Sequence, residues 1–438
     1  MGKRVLLCLA HMSGKEIDFI NEAFADNWVV PLGPNVNGFE EDLKTYLSGS
    51  SCIGGALDAS VETNTDIFGP NTPHVAALSS GTAAVHLALL GCRVEAGDEV
   101  MVQSFTFCAS SHPVTYLGAT PVFVDSEKDT WNMDPVLLDE AIADRVKKTG
   151  KKPKAIIVVH LYGMPAKMDA IAAVAAKWDI PVIEDAAEGF GSEYNCRRCG
   201  TLGQFGVLSF NGNKMITTSG GGALVCRDKE SQKEIMFLAT QARESFPYYQ
   251  HERIGYNYRM SNICAGIGRG QMTIVNEHVA HHHHIQKLYE EKLKDVKGVS
   301  VHKNPSPEFN SNYWVSTILL NQDLKVKGQD KAYTVSVSSP VGGVGAVTNE
   351  TGQLHSASEP NTNVEAMRLA LDAANIESRP LWKPMHLQPV YRTNPAYVNG
   401  VSEELFKRGL CLPAGPWVTD DDVEKIIDTI KNSINSYN

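Results

Sequence analysis

Three short stretches carry residues whose types and spacing suit chemistry. Lys214 lies in Ser209-Phe210-Asn211-Gly212-Asn213-Lys214-Met215-Ile216, with Gly220-Gly221-Gly222 shortly after. A lysine flanked by apolar residues can lose its proton and act as a nucleophile or Schiff-base former. The plainer alternative is one more solvated lysine. Three consecutive glycines let the backbone pass close to another group. Asp185 ends the apolar run Pro181-Val182-Ile183-Glu184. A carboxylate at the end of a buried strand needs a cationic partner, and a protonated pyridine nitrogen is one such partner. Capping of the residues that follow, 186–189, is the alternative. Ser79-Ser80-Gly81-Thr82 follows a strand pattern and opens a helix over 83–90. Free amides and hydroxyls at a helix start bind one phosphate, or simply cap the helix.

These residues need a scaffold that brings them together. Between about 75 and 227 the sequence alternates apolar runs with helical patterns. The runs are Val75–Leu78, Glu99–Val102, Pro121–Asp125, Ala155–His160, Pro181–Asp185, Gly206–Phe210 and Gly222–Cys226. Continuous apolar runs predict strands covered on both faces. Asp134-Pro135 predicts a helix start, with basic residues at its far end. Pro165–Trp178 carries Met168, Ile171, Ala172, Ala175 and Trp178 on one helical face. The alternation predicts an α/β domain with a mostly parallel sheet, residues 1–275 with the N-terminal segment. Residues 276–438 read as a smaller α+β domain. It has a long helix over 275–295, strands at Val301-His302, Tyr313–Leu320 and Tyr333–Val337, and helices over 364–374 and 421–434. Gln322–Asn363 reads as a light, polar surface insertion that adds little to the core.

Composition narrows the classes further. The chain has 438 residues, 43% of them apolar, and a net charge of −10. That charge argues against nucleic-acid binding driven by backbone charge. Nothing approaches the roughly 20 apolar residues of a membrane span. The short run Val5–Ala10 lacks a following cleavage site, so a cytoplasmic location is expected. Nine cysteines, mostly in apolar contexts, read as reduced thiols rather than a disulfide framework. There is no GxGxxG after a strand and no GxxxxGK[ST]. Cys196-Arg197-Arg198-Cys199 has no second ligand pair at zinc spacing, and His281–His284 point all round a helix, so no metal site is expected.

Taken together, the motifs resemble those of the DegT/StrS-type nucleotide-sugar aminotransferases. The matching segments are Ser-Gly-Thr-Ala-Ala at 80–84, Ser-Phe-Thr-Phe at 104–107, His-Leu-Tyr-Gly at 160–163, Glu-Asp-Ala-Ala-Glu at 184–188, Ser-Phe-Asn-Gly-Asn-Lys at 209–214 and Gly-Tyr-Asn-Tyr-Arg-Met-Ser-Asn at 255–262. The resemblance covers nearly the whole chain. It implies the aspartate-aminotransferase fold (PLP fold type I) and pyridoxal 5′-phosphate, cycling between PLP and PMP, as cofactor. The subgroup acting on UDP-linked 4-keto-6-deoxy-N-acetylhexosamine, as in bacillosamine biosynthesis, is most similar. That likeness rests on His11-Met12-x-Gly14, Pro31-Leu32-Gly33, Ile216–Gly222, Thr240–Glu244, Arg379–His386 and Cys411-Leu412-Pro413.

The resemblance implies a role for each matching residue. Lys214 would carry the cofactor and move protons, and Asp185 would partner the pyridinium nitrogen. Phe107 would stack on the ring. Gly81, Thr82 and Ser209 would hold the phosphate, with Asn257 reaching the cofactor of a partner subunit in a homodimer. Glu188 would face cofactor and sugar as a further catalytic residue. Asn211 and His386 would line the sugar pocket, and Arg379 and Lys383 would hold the diphosphate. The implied reaction moves an amino group from L-glutamate to C4 of the UDP-linked 4-keto sugar, for bacterial surface polysaccharide. Two rivals are a PLP-dependent sugar dehydratase, against which Lys214 argues, and a non-catalytic sugar-nucleotide-binding protein. The chain departs from the subgroup in two insertions, Ser51–Pro73 and Gln322–Asn363.

Overall fold

The computed structural model describes residues 3–49, 73–333 and 359–434. Its main sheet has eight strands. In spatial order they are His74–Leu78, Gly222–Cys226, Phe205–Ser209, Val182–Asp185, Ala155–Val159, Glu99–Gln103, Thr120–Val124 and Ala396–Tyr397. Five pairings are parallel, from Phe205–Ser209 across to Ala396–Tyr397. The two that attach Gly222–Cys226 and His74–Leu78 are antiparallel. All seven expected strands are present. The eighth, Ala396–Tyr397, comes from the C-terminal region and adds two residues to the far edge.

Both faces of the sheet are covered, which is why its strands read as continuous apolar runs. Ala155 and Ile157 join the core under the helix Gly81–Gly91. Ile156 and Val158 join the opposite core, under the helices Pro135–Thr149 and Met168–Trp178. The same alternation splits the acidic pair that follows Ile183. Ile183 packs in the first core, so Asp185, two residues on, points to that side and Glu184 to the other.

A second sheet has four antiparallel strands in the order Val299–Val301, Ser316–Leu320, Gly409–Leu412 and Arg379–Pro380. The helices Val275–Leu293, Thr362–Ala373 and Asp420–Ser433 bury Ile318, Leu320, Leu410 and Leu412 beneath them. Thr419 and Asp422 form a capping box at the start of the last helix. Val5 packs into this C-terminal core and bridges to Ile376, so the N-terminal segment spans both regions.

Several expected elements move. The strand expected from Tyr313 begins at Ser316, because Tyr313 takes a left-handed φ of 48° that a strand excludes. The helix expected from Pro165 starts at Met168. Residues 186–189 form a turn rather than a helix. Tyr333 lies outside any strand, and 334–337 lie outside the described residues. The insertion Gln322–Asn363 is not merely superficial. Leu324 and Val326 at its near end are buried in the C-terminal core, and Asn363 Nδ2 at its far end donates to the carbonyls of Asn321 and Leu324. Its residues 334–358, and 51–72 of the earlier insertion, lie outside the described residues.

Among the described residues seven cysteines are free thiols, as expected, and Cys196 is disulfide-bonded, which the reduced set expected from sequence does not include. Among the described residues, no group of histidine, cysteine and carboxylate side chains is arranged to hold a metal ion. No helix among them is long and apolar enough to cross a membrane.

Candidate active site

A cavity of about 340 Å³ opens where the strands of the main sheet end and the second sheet begins. One wall is the start of the helix Gly81–Gly91. Ser80 caps it: its side chain accepts from the Ala83 amide at 3.0 Å, and its carbonyl accepts from the Ala84 amide. The amides of Gly81 and Thr82 have no partner within the helix. They line the cavity together with Ser209. The capping and the anion-binding readings of this stretch therefore hold together. Gly222 shows what the glycine run does. A Cβ there would sit 2.4 Å from the Gly81 nitrogen, so only glycine lets its strand close against the helix start.

Asp185 enters the cavity from the end of its strand and is 5% exposed. Its Oδ2 accepts from the Ser110 hydroxyl at 2.6 Å and its Oδ1 from the Ala187 amide at 3.2 Å. The expected cap and the expected site are the same carboxylate. Glu184 faces the other way. It accepts from His160 Nε2 at 2.9 Å and from the amides of Gly200, Leu202 and Gly203. His160 Nδ1 accepts the Ala166 amide, which places the ring proton on Nε2.

Lys214 points into the cavity and is not a solvated surface lysine, its side chain being 14% exposed. Its Nζ lies 3.4 Å from Glu188 Oε1 and 4.0 Å from the ring centre of Trp314. An ammonium over an indole face is held by the ring quadrupole. Trp314 is fixed in turn by its Nε1 donating to the Asn213 carbonyl at 2.6 Å. Glu188 Oε2 accepts the Tyr162 amide at 2.7 Å. Burial pushes the Glu188 carboxyl above its usual range; Lys214 and the Tyr162 amide oppose that rise, and Asp185 adds to it. Tyr162 itself sits at φ 56°, and its hydroxyl accepts the Trp382 amide at 2.7 Å.

Phe107 and Asn211 complete the expected set on the cavity wall. Phe107 is 50% exposed, unlike a core aromatic, and its ring centre is 5.5 Å from that of Trp382. The other expected residues lie elsewhere. His386 pairs through Nδ1 with the Ser104 hydroxyl at 2.6 Å and is not on the cavity lining; burial lowers its pKa. Arg379 donates to Glu377 Oε1 and lines an adjoining cavity of about 590 Å³. The two cavities share Asn213, Trp314 and Trp382. Lys383 lines neither, and Asn257 is exposed and outside both. Sequence reading missed Trp314, Tyr162 and Ser110 as site residues. Trp314 is 100 positions beyond Lys214 and has no local signal. Tyr162 and Ser110 stand within or just after quoted motifs.

Unpartnered amides at a helix start, a buried carboxylate, an enclosed lysine amine and a half-exposed aromatic ring together fit a phosphorylated pyridine aldehyde. The fold and this donor set define a fold type I PLP enzyme. Residues 65–337 and 345–431 match the model of the DegT/DnrJ/EryC1/StrS aminotransferase family, and the chain belongs to that family. It is 40% identical over 437 residues to EpsN of Bacillus subtilis (strain 168), named as a pyridoxal phosphate-dependent aminotransferase; the match covers 98% of this chain and 96% of EpsN. It is 32% identical over 419 residues to the GDP-perosamine synthase of Escherichia coli O157:H7, covering 96% and 95% of the two chains. A crystal structure of a DegT DnrJ EryC1 StrS aminotransferase from Brucella abortus superposes with a TM-score of 0.76 at 28% identity, over 96% of this chain and 95% of that one. The protein is thus a PLP-dependent sugar aminotransferase.

Proposed function

We propose that the protein transfers the amino group of L-glutamate to C4 of a UDP-linked 2-acetamido-4-keto-2,6-dideoxyhexose. The observation that carries the chemistry is one cavity holding Lys214, Asp185 and the start of the helix Gly81–Gly91. PLP held here would supply an electron-withdrawing ring, able to take up the negative charge left when a proton leaves the donor carbon in one half-reaction and the cofactor's own C4′ in the other. The amides of Gly81 and Thr82, with Ser209, bind the phosphate. Asp185 holds the proton of the ring nitrogen. Phe107 covers one ring face. Lys214 Nζ takes the proton from one carbon and returns it to the other. Glu188 and Trp314 hold that amine in place between transfers. An intact Lys214–Asp185 pair speaks against both rivals, the dehydratase and the non-catalytic binder.

The substrate reading rests on the subgroup motifs, Arg379–His386 and Pro31–Gly33 among them. A net charge of −10 leaves the diphosphate to local groups, of which Arg379 and Lys383 are our candidates. The GDP-perosamine synthase relative makes a GDP-linked sugar the natural competitor. A panel of 4-keto sugar nucleotides at equal concentration, scored by kcat/KM, tests the reading. The UDP-N-acetyl sugar should lead. A GDP or dTDP sugar ahead by about tenfold, roughly 1.4 kcal/mol, would overturn the substrate and leave the aminotransferase standing.

We also propose a homodimer with shared sites. Asn257 is exposed on its own chain and outside its own cavity, which suits a residue that reaches a partner's cofactor phosphate. The absence of a spanning helix among the described residues accords with cytoplasmic work on a soluble sugar nucleotide.

A further inference from the structure

The stretch Thr106–Ser110 touches the cavity twice. Phe107 and Thr106 line it, and Ser110 reaches beneath to Asp185. The turn is closed by the Ser110 amide donating to the Phe107 carbonyl at 3.3 Å. Thr106 and Ser110 are each 1% exposed, and their hydroxyl oxygens lie 2.8 Å apart.

The proton directions follow from the inventory. An ionised carboxylate only accepts, so Ser110 spends its one hydroxyl proton on Asp185 Oδ2. Ser110 can then only accept from Thr106, which makes Thr106 the donor. The order is Thr106 to Ser110 to Asp185, each O–H dipole turning its positive, hydrogen end toward the carboxylate. The Ala187 amide holds the other oxygen. The two donors come from separate segments, so the carboxylate plane is fixed in both position and rotation.

We propose that Ser110, supported by Thr106, is a positioning residue that locks Asp185 as an aligned carboxylate for the cofactor's ring nitrogen. The proposal rests on the reading of Asp185 as that nitrogen's partner. Its logic is that of an outer group orienting the one that makes the contact. A hydroxyl relay also strengthens each link by polarisation. Because the same turn carries Phe107, ring face and ring nitrogen are served by one piece of backbone, and a shift of the turn disturbs both.

The test measures PLP binding to the apo-protein, read by quenching of tryptophan fluorescence, since Trp314 and Trp382 line the cavity. Ser110→Ala should weaken PLP binding about tenfold. Thr106→Val keeps the shape, removes the donor, and should weaken binding about threefold. The deciding arm repeats both changes on an Asp185→Asn background. There each should alter PLP affinity less than twofold, since no aligned carboxylate remains to be held. Losses that multiply on that background would overturn the relay. So would single variants that lower the apo-protein's melting temperature while PLP affinity stays unchanged. If Asp185→Asn alone binds PLP as tightly as the wild type, the reading of Asp185 fails and the relay with it. If Asp185→Asn weakens binding and Ser110→Ala does not, only the relay fails.

Discussion

Two regions of this molecule are dense in reactive side chains, and only one is a site. The segment from Ser209 to Gly222 carries Lys214 among asparagines and hydroxyls; the helix Val275–Leu293 carries His281–His284 in a row. In the first, Lys214 converges on groups from other elements: Glu188, Trp314, Asp185 and the start of a helix all border one cavity. In the second, successive residues diverge by about 100° around the helix. His282 pairs with the Tyr313 carbonyl, His283 with that of Ser311, and His284 with Asp420. These three histidines serve as separate struts. The contrast shows that direction in the fold, more than residue type, decides whether a cluster performs chemistry.

The sharpest way to break the comparison is Lys214→Ala. Turnover should fall by roughly a thousandfold or more, because among the described residues no other lysine lines the cavity. The helix histidines should tolerate the same treatment: His284→Ala, on an exposed residue, should leave kcat within about twofold. Equal losses from the two would erase the distinction.

A second experiment extends the convergent region across the dimer. An Asn257→Ala subunit mixed with a Lys214→Ala subunit should form hybrids with one intact site and regain activity. Hybrids that form and stay inactive would confine the site to one chain.

The smallest effect concerns the divergent region and pH. His282 is fully buried, and burial lowers its pKa to about 3. Its unfolded value is near 6.5. The unfolded chain therefore takes up a proton that the folded chain refuses as pH falls from about 6.5 toward 3. The stability tied to neutral His282 is full above that window and is lost within it. In denaturant titrations, wild type should lose roughly 1 kcal/mol per pH unit relative to His282→Gln between about pH 6 and pH 4. Parallel pH curves would show that His282 titrates normally.

Most of this architecture is legible in the chain because burial on both faces leaves long apolar runs. Ala155–Val159 is apolar at every position, and the structure buries every one. Ala396–Tyr397 was not legible, since two residues at a sheet edge carry no period. The motif residues Lys214, Asp185, Gly81, Thr82, Ser209, Phe107, Asn211 and Glu188 all reach the cavity. Trp314 and Ser110 were invisible because their significance is a distance in space, to Lys214 and to Asp185. Burial of Leu324 and Val326 was masked by the polar, light residues that follow them.

The central claim is that Lys214 is the residue that engages the cofactor. The direct measurement is borohydride reduction of the PLP-loaded protein, digestion, and mass spectrometry to locate the pyridoxyl label. The account predicts the label on Lys214 alone, and none on protein treated with glutamate before reduction. A label on another lysine, or one that glutamate does not remove, would contradict it.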